Sequence, residues 1–127
     1  MTLPAKLVWL AALGAVGTLA RYGLGGFVQQ LHAGAFPWGT LVVNALGCFL
    51  FGLVWTLAEE RLVISGETRT VVLIGFMGAF TTFSTYAFET GAMLRDGEWL
   101  PAAANLLAHN GCGITGFFLG VALGRTL

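Results

Sequence analysis

The charged positions divide the chain into four long apolar stretches. Residues 7–26 are apolar apart from Arg21, and residues 33–58, 70–88 and 99–124 contain no formal charge. Each stretch reaches the roughly 18 residues that a membrane-spanning helix requires. The pattern predicts an all-α, four-transmembrane-helix integral membrane protein, with helices at about residues 5–30, 36–60, 70–95 and 98–125.

The composition agrees with a chain that lies almost wholly in a membrane. Of the 127 residues, 57% are hydrophobic and 9% are charged, and the mean hydropathy is +0.82. An ordinary soluble domain carries about 25% charged residues. The turns between the predicted helices are short, so residues 1–127 are expected to form a single membrane domain.

Charge and cysteine content argue against several classes of function. The net charge is zero and no basic cluster is present, which argues against a nucleic-acid partner. Cys48 and Cys112 lie within predicted spans and form no CxxC motif, so we interpret them as small buried residues rather than redox or zinc ligands. No nucleophile with a base, metal-ligand spacing or phosphate-binding loop can be assembled, and the chain is therefore not expected to be an enzyme.

The direction of insertion is only weakly encoded. Lys6, Arg61, Arg69 and Arg125 lie on the side of the termini, whereas Arg95 lies on the other side. Glutamates crowd the same loop as two of these arginines, and all the counts are small. Insertion in one orientation or in both is therefore left open.

Arg21 is the one charge inside the first apolar stretch. It shares a helical stripe with Gly14, Thr18 and Gly25, whose small side chains favour close helix packing. A guanidinium in a span costs about 2.5–3.5 kcal/mol unless it snorkels or faces a polar interior. Two roles remain open: a residue that snorkels or forms a salt bridge, with Glu89 as the acid bordering a span interior, or a residue that attracts anions.

Two other spans carry polar side chains on one face. In the second, Thr40 and Asn44 point inward if the opposite face, which includes Leu41, contacts lipid. A single Asn in a span most often forms an interhelical hydrogen bond, and its NH2 group also offers donors to an anion. In the fourth, Asn105 and His109 share a face. Because no acid lies one turn away, a neutral, hydrogen-bonded packing residue is favoured for this histidine over a proton relay.

The third span contains GFMGAFTTFSTYAFE at residues 75–89, in which hydroxyls stand among phenyl rings. Gly75, Gly78, Thr81 and Thr82 are poor helix formers in series and predict a break near the middle of the span. Backbone carbonyls exposed at that depth need a partner, and a small cation is one solution.

The residues around and after the predicted break suit a small anion. The hydroxyls of Ser84 and Thr85 and the amide of Asn44 are donors, and the rim of a phenyl ring such as Phe83 carries partial positive charge. Such groups replace part of an anion's hydration shell without a fixed charge that would hold it tightly. Weak, multiple sites of this kind permit conduction.

The chain contains two motifs, GTLVVN at residues 39–44 and GFMGAFTTFST with Glu89 shortly after it. It also has Gly17, Arg21 and Tyr22 in the first span. Together they resemble the Fluc (CrcB) fluoride channels of prokaryotes, and the similarity extends over essentially the whole chain. The resemblance implies a passive, fluoride-selective channel in the prokaryotic plasma (inner) membrane. Such a channel would export cytoplasmic fluoride and so reduce its toxicity.

The resemblance also implies an assembly and a set of site residues. The subunits are expected to form an antiparallel, dual-topology homodimer in membrane lipid, with one structural sodium ion at backbone carbonyls of Gly78 and Thr81. The implied fluoride pathway comprises Asn44, Phe83, Tyr86, Ser84, Thr85, Thr40, Arg21, His109 and Glu89.

Two positions depart from the family pattern. Tyr86 stands where the family has a second phenylalanine, and Asn105 stands where it commonly has a tyrosine. The added hydroxyl of Tyr86 would either contact the ion or block its route. A heterodimer with a different chain, in which one pore is intact, is therefore the alternative to the homodimer.

Two other functions use some of the same features. A small, dual-topology coupled exporter has this length and four spans, but it needs a titratable acid inside a span, and Glu89 lies near a span end. A non-transporting subunit of a larger membrane complex would account for the glycines. It leaves Arg21, Asn44 and the hydroxyl cluster unexplained together.

Overall fold

The computed structural model describes all residues, 1–127. The fold consists of six α-helices and one π-helical segment, and it contains no strand. Four helical segments are long and apolar enough to cross a membrane, which confirms the predicted all-α, four-span architecture. Their bounds are Leu3–Leu31, Trp38–Glu59, Gly66–Arg95 and Trp99–Thr126. The elements are α1 (Leu3–Leu31), α2 (Trp38–Glu59), α3 (Gly66–Thr70), the π-helical segment (Val71–Met77), α4 (Gly78–Phe80), α5 (Phe83–Arg95) and α6 (Trp99–Thr126).

The third span is broken where its sequence predicts. Thr81 and Thr82 leave the helix with extended backbone angles, φ −83° and ψ 155° for Thr81 and φ −149° and ψ 108° for Thr82. The helix resumes at Phe83. The π-helical segment before the break was not predicted. Its wider turns pack against α1.

Glycines bring α2 and α6 into backbone contact. A Cβ on Gly120 would overlap the carbonyl oxygen of Phe49, and a Cβ on Gly52 would overlap that of Phe117. Because association of helices in lipid depends on contact rather than on the hydrophobic effect, these close approaches make α2 and α6 a tight pair.

The contact between α1 and the third span also depends on glycine, but at a position next to the predicted stripe. A Cβ on Gly17 would lie 2.5 Å from the carbonyl oxygen of Phe76, and Gly17 is the buried residue of α1. Thr18 is exposed. The stripe of Gly14, Thr18, Arg21 and Gly25 is therefore only partly correct: Gly25 is in backbone contact with Gly39 of α2, whereas Gly17 makes the closest approach to the third span.

Two other expectations about burial differ from the structure. The inward placement of Thr40 and Asn44 assumed that the face of Leu41 contacts lipid, but Leu41 is only 7% exposed, because α2 packs against α1 and the third span as well as against α6. Cys112 was expected to be buried but is exposed, whereas Cys48 is half-buried.

Ion pairs tie the two ends of the chain to the end of α2 and to α3, on either side of the loop that joins these helices. The N-terminal amine lies 2.9 Å from Glu67 Oε1, and Arg125 donates to both carboxylate oxygens of Glu60 at 2.7 and 2.9 Å. Arg69 pairs with Glu59. Both termini therefore lie at the same end of the bundle as this loop.

Candidate functional site

Asn44 binds the broken backbone of the third span with both ends of its amide. Its Nδ2 donates to the carbonyl oxygen of Thr82 at 3.0 Å, and its Oδ1 accepts from the Thr82 N–H at 2.8 Å. Since one partner only accepts and the other only donates, the orientation of the amide is determined. One N–H of Nδ2 remains free of this pair. Asn44 therefore both ties α2 to the break and keeps a donor.

Thr82 is the N-cap of α5. Its Oγ1 accepts from the Thr85 N–H at 3.2 Å and donates to Thr85 Oγ1 at 2.9 Å, and Ser84 Oγ lies 3.3 Å away. The hydroxyls after the break thus form one connected cluster. Sequence reasoning used Thr82 only as a helix breaker and missed it as a site residue, although a threonine directly before a helical segment is a recognisable capping signal.

The carbonyl oxygens of Gly78 and Thr81 both lose the donor that a continuous helix would supply. The Thr82 N–H, four residues after Gly78, bonds to Asn44, and the Thr85 N–H, four residues after Thr81, bonds to the Thr82 hydroxyl. Carbonyl oxygens freed at the middle of a span need another partner. Their chemistry fits a hard cation such as sodium, which prefers oxygen ligands.

A polar cavity of about 320 Å³ lies beside the break, lined by α1, the loop after α1, α2 and α5. Thr40 Oγ1 donates to Glu89 Oε1 at 2.8 Å. Arg21 Nε and Glu89 Oε2 are buried without a hydrogen-bond partner, and the ion pairs of the chain include neither residue. The salt bridge between Arg21 and Glu89 that was one of the open alternatives is therefore absent, although both residues line this cavity together with Thr85.

A larger, more apolar groove of about 960 Å³ runs between α2, α5 and α6. Phe83 is 77% exposed there, whereas Tyr86 is 7% exposed. The two rings meet edge to face with centroids 5.4 Å apart, and the Tyr86 ring packs against His109 with centroids 4.2 Å apart. Thr82 lines both this groove and the polar cavity, so the break lies between them.

Comparison with known proteins identifies the family of the chain. Residues 8–121 match the family described as "CrcB-like protein, Camphor Resistance (CrcB)". This chain belongs to the CrcB family. The resemblance noted from the GTLVVN and TTFST motifs is thereby confirmed.

Relatives of this CrcB chain carry the name "Fluoride-specific ion channel FluC". The one from Nitrosococcus oceani is 59% identical over 122 residues, covering 96% of this chain and 98% of that protein. The one from Desulforapulum autotrophicum is 54% identical over 122 residues, again covering 96% of this chain and 98% of that protein. The relative from Geobacter sulfurreducens is 46% identical over 118 residues, covering 93% of this chain and 95% of that protein.

The predicted site residues of this CrcB chain fall into two groups on either side of the break. The groove contains Asn44, Phe83, Tyr86 and His109, and the polar cavity contains Arg21, Thr40, Thr85 and Glu89. Ser84 lines neither space, although its hydroxyl lies within reach of Thr82.

Asn105, the second departure from the family pattern, is fully buried in this CrcB chain. Its Nδ2 donates to Thr90 Oγ1 at 2.9 Å, and the Thr90 hydroxyl donates to the Tyr86 carbonyl at 2.8 Å. Asn105 therefore clamps α6 to α5 directly behind Tyr86. Its Oδ1 has no hydrogen-bond partner.

Proposed function

We propose that this CrcB family member is a passive, fluoride-selective channel that exports cytoplasmic fluoride. The observation that carries the proposal is the break in the third span, where the Asn44 amide, the hydroxyls of Thr82 and Thr85 and the exposed ring of Phe83 meet between two cavities. The name shared by the relatives supports fluoride as the ion.

The polar cavity serves as the vestibule of the proposed pathway. Arg21 attracts the anion, and its Nε has no protein partner. Glu89 accepts a hydrogen bond from Thr40 and forms no ion pair with Arg21. An anion would therefore meet one positive charge without being held by a closed cluster of charges, as conduction requires.

The ion then passes the break and enters the groove. At the break, the hydroxyls of Ser84 and Thr85 and the remaining N–H of Asn44 supply donors. In the groove, the edges of Phe83 and Tyr86 supply weakly positive contacts. His109 lines the groove beyond Tyr86. Because these groups are neutral, they compensate for lost hydration without trapping the ion.

A structural sodium ion is proposed at the backbone carbonyls of Gly78 and Thr81. The diversion of the Thr82 and Thr85 N–H groups supports this assignment, since it leaves both oxygens without their helical donors. Bound there, the cation would compensate for the missing hydrogen bonds and stabilise the break.

An antiparallel, dual-topology homodimer in the prokaryotic inner membrane is proposed as the working assembly. The groove is open along one side, and Phe83 projects from it with 77% of its surface exposed. A second copy would cover this face and close the pathway against lipid. A heterodimer is the alternative, because Tyr86 replaces the second phenylalanine.

A coupled exporter is the second candidate function, favoured by one observation. Glu89 is an acid within a cavity, and its Oε2 has no partner. Proton coupling would use such a group, whereas a passive channel needs no gradient of another ion.

Fluoride efflux from liposomes containing only this purified chain tests the proposal. Fast loss of fluoride but not of chloride, with potassium and valinomycin present and no proton or sodium gradient, is the expected result. Loss that requires a proton gradient would identify a coupled exporter. Absence of loss from folded protein would contradict a homomeric channel and would direct the search to a partner subunit.

A further inference from the structure

His109 has one ring nitrogen engaged and one free. Its Nδ1 lies 3.2 Å from the backbone carbonyl oxygen of Asn105. Because a carbonyl oxygen can only accept, Nδ1 must carry the proton of the neutral ring. The lone pair of the neutral imidazole is therefore on Nε2, which is buried and has no hydrogen-bond partner.

His109 lines the groove that is also lined by Phe83 and Asn44. The histidine ring packs on Tyr86 with centroids 4.2 Å apart and an interplanar angle of 30°. An aromatic face is a favourable neighbour for a cationic ring. The Tyr86 face would therefore offset part of the cost of placing a charged imidazole there.

No charged residue lines the groove around His109. Helix α6 packs against α2 and α5, and the titratable groups that these helices bring to the groove are Cys48 and Tyr86. The nearest acid on α5, Glu89, lines the polar cavity and is bonded to Thr40. Protonation of His109 would thus introduce the only positive charge in the groove.

On the basis of the proposed function, we infer that His109 is a proton-controlled determinant of fluoride passage in this chain. The neutral ring contributes no charge to the groove wall. The protonated ring adds a positive charge there, which attracts an anion. The fluoride flux is therefore greater when His109 is protonated, and it falls as the pH rises.

The experiment is fluoride efflux from liposomes containing the full chain, with equal pH on both sides, from about pH 8 to about pH 5, the span over which histidine side chains in proteins commonly change charge. Protein-free liposomes at each pH correct for leakage of hydrogen fluoride. We expect the corrected flux of the unmodified chain to rise about threefold or more on acidification. His109→Gln, which keeps an amide donor but cannot titrate, is expected to show a flat profile.

The second histidine of the chain provides the matched control. His32 is exposed at the end of α1, lines neither cavity and bonds to the Val28 carbonyl. His32→Gln should therefore keep the rise on acidification.

A flat or inverted profile of the unmodified chain overturns the inference while leaving the channel proposal intact, and this holds even if His109→Gln fails to fold. A rise that persists in His109→Gln also overturns it. Absence of fluoride flux at every pH would instead contradict the proposed homomeric channel, and with it the inference for this chain.

Discussion

At the scale of single residues, Asn44 combines two tasks that its chemistry permits and few other side chains could perform. It donates to and accepts from the same backbone unit of Thr82, and it keeps a further N–H. Asn44→Asp replaces the donating NH2 with an oxygen that faces the Thr82 carbonyl. We expect fluoride efflux to fall at least about tenfold, because a negative charge enters the route and the break loses a bond.

Asn110→Asp is the control for the Asn44 variant. Asn110 lines the same groove but bonds to the Leu106 carbonyl on its own helix, away from the break. Asn110→Asp should therefore reduce fluoride efflux less than Asn44→Asp does. Equal losses in the two variants would show that charge in the groove, and not the contact with Thr82, determines the effect.

Substitution of Phe83 tests whether an aromatic edge contributes to the fluoride pathway. Phe83→Ile keeps an apolar side chain but removes the ring edge, and we expect fluoride efflux to fall at least about tenfold with little change in thermal stability. The stability should change little because the ring is 77% exposed.

Phe88→Ile makes the same change on the same helix. Phe88 is 67% exposed and lines neither cavity, so fluoride efflux through the Phe88→Ile variant should stay near that of the unmodified chain. Unchanged efflux in Phe83→Ile would reject the role of the ring edge.

Residue chemistry was easier to predict than residue contacts. The polar side chains of a span stand out against an apolar background, so Asn44, Arg21 and Glu89 were selected from the sequence. Thr82 was missed because its central contribution is a backbone N–H and C=O, which every residue other than proline also carries. Only the fold determines which of these groups are left free.

At the scale of elements, Thr82 determines how α5 begins. Thr82→Val removes the hydroxyl that accepts from the Thr85 N–H and should destabilise the protein by about 1 kcal/mol, the usual cost of losing an N-cap. Thermal unfolding in detergent measures this loss. Thr82→Ser keeps the hydroxyl and should retain most of the stability; a Thr82→Val variant as stable as the unmodified chain would contradict the capping role.

The pairing of α2 with α6 depends on glycine. Gly120→Ala places a methyl group against the carbonyl oxygen of Phe49, which cannot move without shifting α2. We expect a loss of about 1–3 kcal/mol in the free energy of unfolding. Gly111→Ala on the same helix meets no atom within 4 Å and should be neutral or slightly stabilising. Similar stabilities for the two variants would show that α2 and α6 can separate without cost.

The π-helical segment shows a limit of prediction at this scale. The sequence VVLIGFM at Val71–Met77 is apolar in every position, so its periodicity does not distinguish a π-helix from an α-helix. The distinction arises from packing, because Gly17 and Gly75 allow α1 to approach the backbone of this segment closely.

At the scale of the whole molecule, ion pairs close one end of the bundle. The guanidinium of Arg125 donates two hydrogen bonds to the Glu60 carboxylate, and these bonds lower the pKa of Glu60 below its ordinary value of 4.5. A carboxyl with a lowered folded-state pKa stabilises the fold above its unfolded pKa. This stabilisation is lost as the pH falls through the folded-state pKa.

Comparison of the unmodified chain with Glu60→Gln measures this effect. The melting temperature of the unmodified chain should be slightly higher near neutral pH, and the difference should shrink as the pH falls below 4.5 and through the lowered folded-state pKa of Glu60. The effect will be small because both side chains are solvent-exposed. A difference that persists under strongly acidic conditions, where the carboxyl is protonated in the folded chain as well, would show that the ionised carboxylate is not its source.

The sequence by itself determined the properties that arise from local chemistry. Hydrophobic stretches of spanning length specify four helices, a series of glycine and threonine residues specifies a break in the third, and the motifs indicate the family. Each of these signals is carried by neighbouring residues, so no knowledge of distant contacts was needed.

Only the tertiary structure decided which groups meet. It joined Asn44 to Thr82, left Arg21 and Glu89 unpaired, buried Leu41 and placed His109 at the groove with its Nε2 buried and unpartnered. These results depend on how each helix is rotated about its axis. In a chain that is apolar on almost every face, that rotation is set by close backbone contacts at glycines rather than by the pattern of hydrophobic residues.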